Sequence, residues 1–420
     1  MNSFNIRRYD IDWLRVILFG LLIPFHVAIG VYWSTYGAEI NPNIDEISDQ
    51  DNGAIFVEEN NDYTTESVSL TSMILHWMHQ WRLAALFMIS GMGTAFAFKS
   101  RTWKLFLKER CQRLLIPMFF GAWTMGFIGS LILDPQSSDP IGNFLWGIIW
   151  RSLVFWIPIY GKLIALGHLW FLWNLFQYSL IMTPIFHYSS KYPDGDLVRF
   201  IRSFFSIPMS LGILLALPLI LSITEIIFKP WFPGYIGVGY EWFWFFVFFA
   251  FGYICIIAKE QYYDFLANQR IVITVITLFF TMAFIWLRLQ QHDSGIPYVD
   301  GGWLGNSIFH NKMTILACLI HSFHSWFWCL TIFSWGSKLL NKPSRHLSYL
   351  NQGVYPFYIV HMPLTYAGLR FSTYLGMKNY PAVIFSTIFV VITCWIFFEL
   401  VRRSRVTRFL FGIKEKKLMP

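Results

Sequence analysis

Charged side chains are scarce in this chain. Asp, Glu, Lys and Arg make up 13% of its 420 residues, where a soluble globular protein carries about 25%. Cysteine is scarce as well. Cys111, Cys255, Cys318, Cys329 and Cys394 are odd in number, form no CxxC pair and fall in or beside apolar runs. That pattern predicts neither a disulfide framework nor a zinc site. The net charge of +8 could suggest nucleic acid, but the basic residues are distributed loop by loop, which is an orientation signal. The N-terminal apolar segment has no small-residue cleavage site after Arg7-Arg8, so it is expected to stay as a first span and not leave as a signal peptide.

What is present is apolar. The chain is 55% hydrophobic with a mean hydropathy of +0.48, and its apolar runs are long enough to cross a bilayer. The fold class expected is an all-α polytopic membrane protein with ten spans near 13–33, 71–98, 114–133, 166–188, 204–228, 240–258, 271–289, 313–336, 350–376 and 381–400. The stretch 141–163 is apolar but interrupted by Arg151, Pro158 and Lys162, leaving a re-entrant, interfacial or spanning segment open. Ten spans with both termini cytoplasmic place 23 of the 32 lysines and arginines inside and seven outside, a strong positive-inside bias. Residues 34–70 hold nine acids and no Lys or Arg, which reads as a solvated outer loop; a lid or acceptor-guiding surface is the alternative. The expected organisation is one membrane domain over 1–420, with that acidic loop outside and basic segments at 99–113 and 402–420 in the cytoplasm.

Ionisable residues inside apolar spans mark candidate sites. Arg15 and His26 stand eleven residues apart in the first span, so on one unbroken helix they share a face, roughly 16 Å apart along the axis. Arg82 follows His79 in the second span and either sits within the outer leaflet or snorkels to its edge. The Ser90-Gly91-Met92-Gly93 stretch beyond it suits close helix packing. His168 begins GHLWFL at the outer end of the fourth span, as an interfacial residue or a catalyst, and His361 in FYIVH lies well inside the ninth. His321 and His324 could hold a metal or haem, yet no carboxylate near them in sequence arranges a second shell. Arg110 and Arg113, at i and i+3 in the basic 99–113 segment, could grip a phosphate in fork geometry or serve only as a charge anchor. Glu399 ahead of Arg402 and Arg403 suits an ion pair at a helix end.

Taken in order, Arg15-x10-His26, LFMISG, Arg110-x-x-Arg113, GHLWFL and FYIVH resemble the acyltransferase family 3 membrane enzymes, from Tyr9 to about Gly412. YDIDWLRV and FELVRRSRVTRFLFGIK resemble more closely a branch of that family whose implied activity is succinylation of osmoregulated periplasmic glucans. The resemblance implies an integral protein of a bacterial inner membrane that moves a succinyl or acetyl group from cytoplasmic acyl-CoA to glycan hydroxyls outside, with no metal. It implies Arg110 and Arg113 for the phosphates of acyl-CoA, and His26 as general base or covalent acyl carrier. Arg15, Arg82 and His168 would supply charge for the oxyanion, with His361 a further catalytic candidate. A secondary transporter of an anionic solute would also use an intramembrane Arg and His track, and stands as the alternative.

Overall fold

A computed structural model of the chain describes residues 8–40, 70–98, 101–133, 140–157, 162, 165–206, 212–229, 231–232, 237–293, 298–299, 302–303 and 312–413. In chain order the helices are α1 (Tyr9–Gly20), α2 (Leu22–Ile40), α3 (Leu70–Phe98), α4 (Trp103–Arg110), α5 (Ile116–Leu133), α6 (Pro140–Val154), α7 (Trp170–Lys191) and α8 (Asp196–Phe205). They continue with α9 (Leu217–Phe228), α10 (Tyr240–Ile257), α11 (Lys259–Asn268), α12 (Arg270–Asp293), α13 (Lys312–Leu339), α14 (Leu347–Tyr374), α15 (Asn379–Val401) and α16 (Arg405–Leu410). A hairpin of Tyr298–Val299 against Gly302–Trp303 is the sole sheet among the described residues.

Six described helical stretches are long and apolar enough to cross a membrane: Tyr9–Tyr32 (α1 with the start of α2), Met73–Phe98, Tyr240–Ile257, Arg270–Gln290, Ile315–Leu339 and Asn379–Val401. They coincide with six of the expected spans, and the other four expected spans fall on α5, α7, α9 and α14. Within the ambiguous stretch 141–163, α6 has 15 residues, a rise of about 22 Å against a hydrocarbon core of about 30 Å. Its Leu145, Trp146, Ile149, Trp150 and Leu153 are exposed along one face. α2 runs on to Ile40, into the acidic segment 34–70; positions 41–69 lie outside the described residues, as do 414–420 of the basic tail.

The chain divides into two compact units. The first holds Met1–Leu18, Ser67–Leu107 and Gln177–Leu347. Its closest packing is α3 against α10, where a Cβ on Gly91 would lie 2.0 Å from the Phe249 carbonyl oxygen and one on Gly252 2.0 Å from that of Met88. The glycines therefore let two backbones touch, the close packing expected of the Ser90–Gly93 stretch. Behind it lies a buried ionic cluster. Glu225 is 0% exposed; its Oε1 is 3.2 Å from Lys229 Nζ and its Oε2 accepts from His321 Nδ1 at 2.8 Å and Ser322 Oγ at 3.4 Å. Trp244 stacks on His321 at 4.7 Å. His321 thus has a carboxylate partner after all, supplied from 96 residues upstream, and Lys229 is buried as well. His324 is buried with its ring against Phe284.

The second unit holds Phe19–Glu66, Lys108–Phe176 and Ser348–Pro420. Here α2 packs on α15, and a Cβ on Gly30 would come within 2.6 Å of Leu369 Cδ1. At its far end Gly412 turns with φ +68° beside the Arg113 carbonyl, 3.2 Å from where a Cβ would stand. Phe411 of that turn meets Phe120 and Phe397 edge-on, so the last described residues brace the segment that carries Arg113. Glu399 accepts from Tyr349 and Arg402, the helix-end pairing expected of it.

Candidate active site

Three of the five expected catalytic residues meet in the second unit. His26 Nδ1 lies 3.1 Å from His361 Nε2, and the rings of His168 and His361 are 5.2 Å apart, edge to face. His361 is 1% exposed. Phe19, Phe171 and Tyr358 wall the cluster with edge-on contacts.

Two prolines make this geometry possible. Pro24 has no N–H for the Gly20 carbonyl and its ring crowds that turn, and the first span breaks at Leu21 into α1 and α2. The single unbroken helix assumed from the Arg15-to-His26 spacing is therefore two helices, and His26 belongs to the second. Pro363 does the same inside α14: the Ile359 carbonyl, four residues back, loses its helical donor. His168 fills the gap. Its Nε2 is 3.2 Å from the carbonyl oxygens of both Tyr358 and Ile359, and the Tyr358 hydroxyl donates to the His168 carbonyl in return. Gly167, at φ +50°, supplies the left-handed turn that starts the short Gly167–Leu169 helix. His168 is thus tied to the backbone of α14, more than an aromatic-belt residue.

Hydrogen bonding fixes the tautomers along the pair. His361 Nδ1 is 2.7 Å from the Tyr358 carbonyl oxygen, which only accepts, so Nδ1 carries the proton. His361 Nε2 then presents a lone pair and accepts from His26 Nδ1–H. In the neutral pair this leaves the His26 lone pair on Nε2. The arrangement is a base oriented by a second ring, itself held by a carbonyl, the logic of an activated catalytic histidine.

Arg151 joins the neighbourhood from α6. It donates from Nη1 to the Ala165 carbonyl at 3.2 Å and lies against Gly126, where a Cβ would sit 3.1 Å from its Cζ. Trp123 holds α6 in place through Ile148 and Ser152. The sequence shows Arg151 only as an interruption of an apolar run; its role depends on where α6 docks.

Arg15 and Arg82 belong to the first unit. Arg15 pairs with Asp12 at 3.6 Å, and a Cβ on Gly93 would lie 2.9 Å from its Nη2. Arg82 is 1% exposed, which overturns snorkelling to a membrane edge. Arg110 ends α4, and Arg113 falls in the π turn Cys111–Leu115. That wider turn spoils the simple i, i+3 alignment of an α-helix.

A family profile described as an acyltransferase domain matches residues 8–399. Glucans biosynthesis protein C of Salmonella enteritidis PT4 is 25% identical over 432 residues, covering 97% of this chain and 95% of the relative. The protein of the same name from Salmonella dublin matches to the same extent. No solved structure matches. With the profile spanning the histidine cluster, Arg15, Arg82 and the Arg110–Arg113 segment alike, the chain belongs to the acyltransferase family 3.

Proposed function

We propose that this protein is a transmembrane O-acyltransferase that carries a succinyl or acetyl group from cytoplasmic acyl-CoA to hydroxyls of an extracytoplasmic glycan, an osmoregulated periplasmic glucan by its similarity to glucans biosynthesis protein C. The observation that carries this reading is the His26–His361 pair at 3.1 Å. His26 Nε2 takes the proton of the acceptor hydroxyl while its oxygen bonds to the thioester carbonyl carbon. The positive charge left on His26 is shared through Nδ1–H to His361. The carbon–sulfur bond then breaks, and the departing thiolate recovers the proton, so ester and free thiol leave with no net change in protons. Imidazole suits this work because it titrates near neutrality, and such a base is worth about 10²–10⁴-fold. Arg110 and Arg113 hold donor phosphates in this scheme. The charge-stabilising roles of Arg15 and Arg82 rest on the resemblance alone. Ten spans, with both termini in the cytoplasm of an inner-membrane protein, agree with the charge bias and put donor and acceptor on opposite sides.

The test is radiolabelled acyl-CoA supplied to purified protein with a periplasmic glucan. Free thiol and labelled glucan are the expected products. A secondary transporter of anionic solutes would give neither.

A further inference from the structure

The first unit carries a cleft of about 520 Å³, within the range of small-molecule sites. It is formed where α3 ends, α4 begins and α7 ends. Three side chains that line it, Arg101, Lys104 and Lys191, are cations, His187 adds a fourth basic group, and among the described residues the lining holds no carboxylate. The Trp103 indole is exposed at the rim, with the Lys104 ammonium 5.5 Å from its ring centre. Arg101 is held at the mouth by its N–H on the Phe98 carbonyl, 3.1 Å away. The cleft also takes in the first turn of α4, where the Leu105 N–H donates to Thr102 Oγ1 at 3.4 Å and the earlier N–H groups have no helical acceptors and favour anions.

Positive charge with an exposed indole suits a flat ring joined to several phosphates. Guanidinium and ammonium groups take phosphate oxygens, and an exposed indole stacks a base. We propose that this cleft binds a nucleotide and, resting on the acyl-CoA reading above, that it grips the 3′-phosphoadenosine diphosphate end of the donor. Arg101, Lys104 and Trp103 are then donor-binding residues, and Lys191 contributes from α7.

Adenosine 3′,5′-bisphosphate titrated into the full-length protein in phosphatidylcholine nanodiscs tests this. The wild type should bind it, and Arg101→Gln with Lys104→Gln should weaken binding about tenfold or more, the loss expected of two charge-assisted contacts. Lys191→Gln, an exposed change on another helix, gives a second reading if the double variant fails to insert. Trp103→Leu should weaken the nucleotide while leaving weak inorganic-phosphate binding unchanged. Equal nucleotide affinity in wild type and all variants overturns the assignment. So does a double variant that keeps the nucleotide but no longer retains phosphatidylglycerol, which makes the cleft a lipid-headgroup site. Failure of the wild type both to bind nucleotide and to release thiol removes the acyl-CoA reading as well; thiol release with unaffected variants removes only the cleft.

Discussion

His26 Nδ1 lies 3.1 Å from His361 Nε2 across 335 residues of chain, and the direction of that bond decides which atom of His26 is basic. A glutamine side chain in place of this imidazole keeps hydrogen bonding but has no nitrogen that titrates near neutral pH. His26→Gln is therefore expected to reduce glycan acylation by about 10²–10⁴-fold with donor binding retained. His361→Gln should cost about 10- to 100-fold, the range for losing an orienting partner. Steady-state acylation with each variant at matched protein level is the check; wild-type turnover by the His26→Gln protein removes the mechanism.

Pro363→Ala restores an N–H that competes with His168 for the Ile359 carbonyl. A proline inside a helix is unfavourable by about 3 kcal/mol relative to alanine, so thermal stability should hold or rise. Activity should nevertheless fall, because His168 and the His361 turn lose their common anchor. A parallel loss of both would show that the proline is needed merely for folding.

The glycines offer an internal comparison. Gly147→Ala in α6 meets no atom within 4 Å and should be neutral or stabilising by about 0.5–1 kcal/mol. Gly252→Ala forces a methyl onto the Met88 backbone and should destabilise by about 1–3 kcal/mol. Thermal unfolding of the two variants in one detergent should separate them in opposite directions.

Glu225 sits between Lys229 and His321 with its carboxylate fully buried. Glu225→Gln leaves a buried ammonium without its counter-charge, a loss of about 3–5 kcal/mol in comparable pairs. Unfolding should shift well below that of wild type, whereas Glu399→Gln, at an exposed helix end, should change stability by less than about 1 kcal/mol. Equal shifts would show that burial of the cluster is not what gives it weight.

A reporter joined after Lys417 should be active only in the cytoplasm if ten spans are right. Periplasmic activity would make α6 part of an eleventh span.

Much of this was legible in the sequence, where the information is local. Apolar run length marked the helices, the glycines of Ser90–Gly93 marked a close contact, and Arg15-x10-His26 pointed at His26. What could not be read was pairing through space. His361 was a candidate without a partner, and His321 had no carboxylate near it in sequence because Glu225 arrives on another helix. Arg151 looked like an interruption for the same reason. Pro24 and Pro363 were visible, but their consequence was not: a missing N–H says that a carbonyl is vacated, not what will occupy it.

That vacancy ties two distant parts of the chain into one unit of constraint. Pro363 opens a socket at the Ile359 carbonyl, and His168, from a different helix, is the plug. A chain that regained a donor at position 363 would satisfy that carbonyl without the imidazole and release the ring from its anchor, and one that lost the imidazole would leave the carbonyl short of a donor in an apolar interior. Each position thus sets the cost of change at the other, which makes the short Gly167–Leu169 turn and the middle of α14 one coupled element.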